Sequence, residues 1–246
     1  SMRASRGVAA VAGLPPCEAA SVVRTAVSGS RMRELVLVRH GESEGNVAYQ
    51  RSKMGDASMY SGEFLRRHSG QWRLTDQGIE QAEAAGAWLR AHYPEGFERL
   101  YVSEYLRAKE TAGHLNLPPG GASGDPKKAH MWFAELVLRE REFGRLEHVP
   151  HARRHGGEFD DEVRREGLDA YLYSPPGGES LATVSQRVSG FLARLHRECS
   201  GGRALIVCHG EVMFVLRALI ERLSLREIND RLRTSRPRER IHHAQI

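Results

Sequence analysis

Two short runs in this chain, Arg39-His40-Gly41 and His209-Gly210, each follow an apolar stretch and each end on a glycine. Between them lie Arg107, close behind another apolar stretch, and Glu140, in a charged segment. Arginine carries a permanent charge on a planar fork that matches phosphate oxygens. Two arginines and two histidines in one pocket would repel one another, and a phosphate dianion would turn that arrangement into a binding site. A neutral imidazole is a nucleophile that can split a transfer into two easier steps. Fixed arginines can stabilise charge on a transferring phosphoryl group. A carboxylic acid beside them can protonate the leaving oxygen and later activate water. Each residue also has an ordinary reading. A histidine at a strand end can simply bond to backbone. Glu142 is within reach as an alternative acid, and Arg139 and Arg141 could pair with both carboxylates. Asn46 suits a turn as well as a phosphate contact, and Glu211 suits the first turn of a helix.

These side chains act together only if the fold brings them to one edge. Leu35-Val36-Leu37-Val38 reads as a strand over Glu34–Arg39, buried on both faces. Ala204–Cys208 reads the same way, and Arg99–Ser103 is a shorter strand. A strand is also expected over Trp132–Leu138. Thr75 is a fair N-cap for a helix running to Tyr93, where Pro94 stops it. Arg107 falls in the first turn after the third strand. Glu179-Ser180 opens a helix with a clean apolar stripe at Leu181, Val184, Val188, Phe191, Leu192 and Leu195. Another helix after His209 turns Val212, Val215, Leu219 and Leu223 inward. Strands alternating with helices predict a three-layer α/β/α architecture, with a mostly parallel central sheet flanked by helices. In such sheets ligands bind at the carboxyl ends of the strands. Residues 47–73 are expected as a long flap loop over that edge. A helix is expected around Asp160–Tyr171, a Pro/Gly-rich connection from Pro118 to Lys128, and an edge strand over Ile241–Ile246. Residues 1–31 are set apart as a disordered or targeting segment, with Met32 an alternative start, and residues 32–246 form the domain proper.

The 246 residues are 40% hydrophobic, enough for one sizeable core. No stretch approaches a membrane span, so no membrane association is expected. Cys17, Cys199 and Cys208 form neither a disulfide framework nor metal-ligand spacing, so a reducing, cytoplasmic compartment is the default, and no metal or cofactor is expected, since fixed arginines would do the work a divalent cation does elsewhere. Residues 1–31 leave organelle targeting open. The net charge of +5 favours anionic partners. No nucleic-acid-binding motif accompanies it, and none is expected to bind.

The chain resembles the histidine phosphatase superfamily, in the branch that contains cofactor-dependent phosphoglycerate mutases. The matching pieces are Leu37-Val38-Arg39-His40-Gly41-Glu42-Ser43 with Asn46, Leu74-Thr75 with Gly78 and Gln81-Ala82, and Ser103 with Arg107-Ala108 and Thr111. They continue with Leu138, Glu140 and Phe143-Gly144, then Gly178-Glu179-Ser180 with Val184 and Arg187, and finally Val207-Cys208-His209-Gly210. The resemblance implies a phosphoglycerate mutase-like fold. It implies that His40 is the phosphorylated nucleophile and Glu140 the proton donor. Arg39, Arg107 and His209 would hold the phosphoryl group, with Asn46 and the Gly210 N–H as further donors. The basic stretch that a mutase places after its acid residue is not recognisable, and the chain is more similar to broad-range phosphatase members. A phosphatase acting on phosphorylated small molecules is therefore the expected function. A phosphoglycerate mutase is the alternative enzyme, and a non-catalytic phospho-ligand or partner-binding module the alternative of another class. A homodimer stays open.

Overall fold

Side chains along Glu34–Arg39 alternate between two faces, and both faces are apolar, so the strand demands helices on each side. In the computed structural model, which describes residues 22–25, 32–117, 131–154 and 170–234, it receives them. Leu35 and Leu37 face a core layer with Leu181, Val184, Val188 and Leu195 of one helix and Val212, Val215 and Leu216 of another. Val36 and Val38 face the opposite layer, with Ala85, Leu89, Ala108 and Ala112. All four strand residues are fully buried. Each contributes on the order of 1.5–3 kcal/mol of apolar burial.

The strands are β1 (Val22–Thr25), β2 (Glu34–Arg39), β3 (Arg99–Ser103), β4 (Trp132–Glu135) and β5 (Arg203–Cys208). Their order in the sheet is β1-β2-β5-β3-β4. β2, β5, β3 and β4 run parallel, and β1 joins antiparallel at the β2 edge. The helices are α1 (Glu44–Lys53), α2 (Gly62–Arg66), α3 (Asp76–His92), α4 (Leu106–His114), α5 (His151–Arg154), α6 (Leu181–Glu198), α7 (Gly210–Glu221) and α8 (Leu225–Thr234). α3 and α4 cover one face of the sheet, and α6 and α7 the other. This is the three-layer architecture expected from the sequence.

Three expectations need correcting. Residues 47–73 are not one long loop: they hold most of α1, all of α2 and a single 3₁₀ turn at Ser69–Gln71. α1 escapes a periodicity search because it buries only Gly45, Ala48 and Ser52, and Val47 and Tyr49 are its only sizeable apolar residues. The strand expected over Trp132–Leu138 stops at Glu135, and Leu136–Leu138 coil into a 3₁₀ turn. α7 ends at Glu221, where Arg222 takes a left-handed conformation (φ 54°), so Leu223 lies beyond the helix. The antiparallel strand β1 falls inside the segment set apart at 1–31. The connection over Pro118–Lys128, the helix expected around Asp160–Tyr171 (apart from Ala170 and Tyr171, which lie in a turn) and the strand over Ile241–Ile246 lie outside the described residues.

Candidate active site

The ends of β2 and β5 fix the centre of the site. The two strands pair in register up to Arg39 and Cys208, and the His40 N–H continues the ladder to Cys208 O at 3.1 Å. His40 and His209 therefore leave the sheet side by side, with ring centroids 5.1 Å apart. The turn after His40 is drawn tight against the start of α3. A Cβ on Gly41 would lie 2.3 Å from Gly78 O, and one on Gly78 would lie 2.0 Å from Glu42 O. Only glycine allows both backbones this close. Thr111 ties the same turn to α4: its hydroxyl accepts the Gly41 N–H at 3.1 Å and donates to Arg107 O at 2.7 Å.

His40 Nδ1 lies 2.7 Å from Gly41 O. A carbonyl oxygen only accepts, so Nδ1 carries the ring proton and Nε2 keeps its lone pair. The Arg107 Nε–H donates to that Nε2 at 3.2 Å. A second nitrogen of Arg107 donates to Ser69 O at 2.7 Å, and its guanidinium lies 4.9 Å from the Tyr105 ring centroid. Arg39, His40, Arg107 and His209 are all buried. Gly210, the first residue of α7, lies beside the Arg39 guanidinium: a Cβ there would be 3.5 Å from Nε. The free N–H groups of a helix N-terminus suit an anion.

Burial, with the charges of Arg107, His209 and Arg39, holds His40 well below the usual histidine range. Burial, Arg107, Arg39 and Arg187 do the same to His209. Both rings are neutral at ordinary pH. Burial also lowers Arg39 to about 10, against the opposing pull of Glu140. Glu140 moves the other way, pushed up to about 7 by burial and by the Glu211 carboxylate, while the Arg141 N–H, Arg107 and Arg39 resist. Glu140 is thus a carboxyl that still carries a proton in part near neutral pH, within the field of both site arginines.

The neighbouring acid is differently engaged. Glu142 accepts the Tyr105 hydroxyl at 2.6 Å and lies 3.6 Å from Arg139. The loop carrying both acids is held by side chains. Arg187 donates to the carbonyls of Val137, Arg139 and Glu140 and to both carboxylate oxygens of Glu179. Glu179 also takes Arg139 and the Glu142 N–H. Arg141, itself buried, reaches Glu179 O at 2.6 Å and Tyr173 O at 3.1 Å. At Gly144, φ is 52° and a Cβ would lie 2.3 Å from Pro176 O, so the loop turns where only glycine fits.

Residues 35–235 match the family model of the histidine phosphatase superfamily, branch 1. The chain belongs to that superfamily. A 2,3-bisphosphoglycerate-dependent phosphoglycerate mutase of Azorhizobium caulinodans is 35% identical over 201 residues, covering 78% of this chain and 83% of that protein. A phosphoglycerate mutase-like protein of Arabidopsis thaliana is 33% identical over 190 residues, covering 75% of this chain and 53% of that protein. Among solved structures, a putative alpha-ribazole-5'-P phosphatase of Escherichia coli superposes with a TM-score of 0.57 at 26% identity, over 79% of this chain and 82% of its own. A mycobacterial glucosyl-3-phosphoglycerate phosphatase in complex with VO3 gives 0.56 at 24%, over 79% and 85%, and shares the fold.

Within this histidine phosphatase fold, Arg39, His40, Arg107, His209 and Gly210 converge, and Glu140 stands in their field. Asn46 is occupied differently: its Oδ1 accepts the Ser43 N–H at 3.0 Å and the Ser43 hydroxyl at 2.9 Å, capping α1. Among the described residues, no three His, Cys, Asp or Glu side chains gather as metal ligands, and no helix is long and apolar enough to cross a membrane. The sequence reading assigned no separate part to Ser103, Thr111 or Arg187, took Glu179 as the opening of a helix, and took Arg139 and Arg141 as partners of the two acids; Arg139 lies 3.6 Å from Glu142, whereas the Arg141 guanidinium bonds to Glu179 O and Tyr173 O and lies 3.5 Å from Glu211. Ser103 ends a strand and Glu179 precedes a helix, Thr111 and Arg187 lie within helices and Arg141 in a loop, and only the fold tells these polar residues from surface ones.

Proposed function

We propose that this protein is a phosphatase that hydrolyses phosphate monoesters through a phosphohistidine on His40. The observation that carries the reading is the state of that ring. His40 is neutral, its Nδ1 proton is committed to Gly41 O, and its Nε2 lone pair is held beside Arg107. In the first step Nε2 attacks phosphorus, the P–N bond forms and the bond to the leaving oxygen breaks. Glu140 gives its proton to that oxygen, so the product leaves as a neutral alcohol. In the second step water attacks the phosphoryl group, its proton passes to the Glu140 carboxylate, and the P–N bond breaks. Inorganic phosphate departs and both groups return to their starting states. Arg39, Arg107 and His209 hold the phosphoryl oxygens, with the Gly210 N–H beside them, while Asn46 fixes the loop after His40 by capping α1. Fixed guanidinium groups supply charge without reorganising during the reaction.

Hydrolysis rather than isomerisation is favoured by how the cations over residues 44–73 and 143–154 are engaged. A mutase must hold a second anionic group on its substrate. Here Arg67 is paired with Glu44 at 3.0 and 3.1 Å. Arg154 is stacked over Phe143 at 4.5 Å and bonded to Leu146 O at 2.5 Å. His148 bonds to Arg67 O and packs edge-on against Trp72 at 5.4 Å. These groups hold residues 44–73 and 143–154 together. The mutase name of the relative at 35% identity keeps isomerisation as the second reading. The test is to incubate the protein with 3-phosphoglycerate, with and without 2,3-bisphosphoglycerate, and with an aryl phosphate. Release of inorganic phosphate, with an acid-labile and base-stable phosphoenzyme, supports the reading. Isomer interconversion without phosphate release replaces it with the mutase. No turnover of any ester, with phosphate still bound, replaces it with a binding module.

A further inference from the structure

Two histidines meet at the phosphoryl site, and each is held by a buried partner on its far side. For His40 that partner is a carbonyl. For His209 it is the hydroxyl of Ser103, the last residue of β3, which is fully buried 2.7 Å from His209 Nε2. We propose that Ser103 is a positioning residue that donates its hydroxyl proton to His209 Nε2, and so aims the single N–H of that ring, on Nδ1, at the phosphoryl oxygens. This rests on the phosphoryl site assigned above.

A neutral imidazole has one N–H. Between Ser103 Oγ and His209 Nε2 one hydrogen is shared, and either atom could donate it. Ser103 Oγ already receives the Tyr105 N–H at 3.3 Å. If Nε2–H donated as well, the buried hydroxyl would accept twice and its own proton would have no acceptor among its described hydrogen bonds. A buried donor without an acceptor is costly. If the hydroxyl donates to Nε2, every proton around Ser103 is used and the ring proton stands on Nδ1.

His209 Nδ1 is buried and has no hydrogen-bond partner. It belongs to a ring packed against that of His40. Buried polar atoms are nearly always satisfied, so one left open beside two arginines points to an acceptor that arrives with the substrate. Tyr105 packs edge-on against the other side of the His209 ring, at 5.2 Å, and limits its rotation. Both histidines then hold the same tautomer and present opposite atoms to the anion. His40 offers a lone pair to phosphorus, and His209 offers an N–H to oxygen. The other tautomer of His209 would place a lone pair against the phosphoryl oxygens and repel them.

The experiment is nitrogen NMR of the imidazoles in the free protein, with His209 assigned by comparison with His209→Gln. The wild type is expected to show protonated Nδ1 and unprotonated Nε2 at His209. Ser103→Ala should redistribute the proton towards Nε2, weaken binding of inorganic phosphate by about tenfold, and lower kcat/KM by about 10- to 100-fold. Ser103→Thr, which keeps the hydroxyl, should restore the wild-type tautomer and most of the affinity. A wild-type His209 protonated on Nε2 overturns the proposal. So does a folded Ser103→Ala with unchanged tautomer and unchanged phosphate affinity. The tautomer is read without turnover, so failure of the phosphatase reading leaves a different trace: a tautomer that responds to Ser103 in a protein that hydrolyses nothing.

Discussion

The two halves of this site are built on different principles. The cradle of Arg39, His40 and His209 stands on the ends of β2 and β5, where backbone ladder bonds set every position. Glu140, the acid of the proposed reaction, stands on an irregular loop from Arg139 to Phe143, held by Arg141, Glu179 and Arg187. A backbone ladder survives the loss of any one side chain. A loop held by ion pairs does not, because removing one partner leaves buried charge uncompensated. The backbone placement of the nucleophilic half should therefore survive the loss of single side chains, so that it fails when a reacting group, or the Ser103 hydroxyl behind His209, is removed, whereas the acid half should fail whenever any of its several supports is.

His40→Ala gives the largest effect. Turnover of an aryl phosphate falls to background and no phosphoenzyme can be trapped, while the melting temperature stays close to wild type. Residual turnover near the wild-type rate would remove His40 from the reaction. Glu140→Gln comes next. General acid catalysis contributes about 10²- to 10⁴-fold, so alkyl phosphates should lose on that order, while nitrophenyl phosphate, whose leaving group needs no proton, should lose far less. Equal losses on both would shift the acid to Glu142 or elsewhere.

Arg187→Ala tests the comparison directly, because Arg187 sits behind Glu140 and touches no reacting group. It should reproduce the leaving-group bias of Glu140→Gln in milder form, about 10-fold on alkyl phosphates, with phosphoenzyme formation from nitrophenyl phosphate preserved. Lysine should not rescue it, since one ammonium cannot make the forked contacts to Glu179 and three carbonyls. Parallel loss on both ester types would mean that cradle and acid loop are one cooperative unit.

The same division explains what the sequence could reveal. Arg39, His40 and His209 are legible because a doubly buried strand has an unmistakable apolar run, and whatever polar residue ends it must lie at the sheet edge. Arg107 is legible because it follows a strand by a few residues. Glu140 could be named only through the family motif, since a charged loop offers several acids. Its supports were invisible as supports: Arg187 lies on the polar side of an apolar stripe, and Glu179 looks like an ordinary residue before a helix. The extent of α1 was not legible because its buried face is Gly45, Ala48 and Ser52, and small buried residues carry little hydrophobic signal.

The smallest effect concerns the proton on Glu140. Its carboxyl is raised to about 7 by burial and by Glu211, on the first turn of α7. A donor must be protonated, so kcat/KM for alkyl phosphates should fall as pH rises through about 7. The acid side should stay flat through the ordinary histidine range, because His40 and His209 remain neutral well below it. The charged groups acting on Glu140 are Glu211, Arg39 and Arg107, and the Arg141 N–H bonds it at 3.0 Å. Arg141 also lies 3.5 Å from Glu211. Glu211→Gln removes a negative charge that opposes ionisation, so the alkaline limb should move to lower pH, by up to about one unit. Nitrophenyl phosphate should show no such move. A shift of the limb to higher pH, or an equal shift with both esters, would show that Glu211 acts through the cradle rather than through the acid.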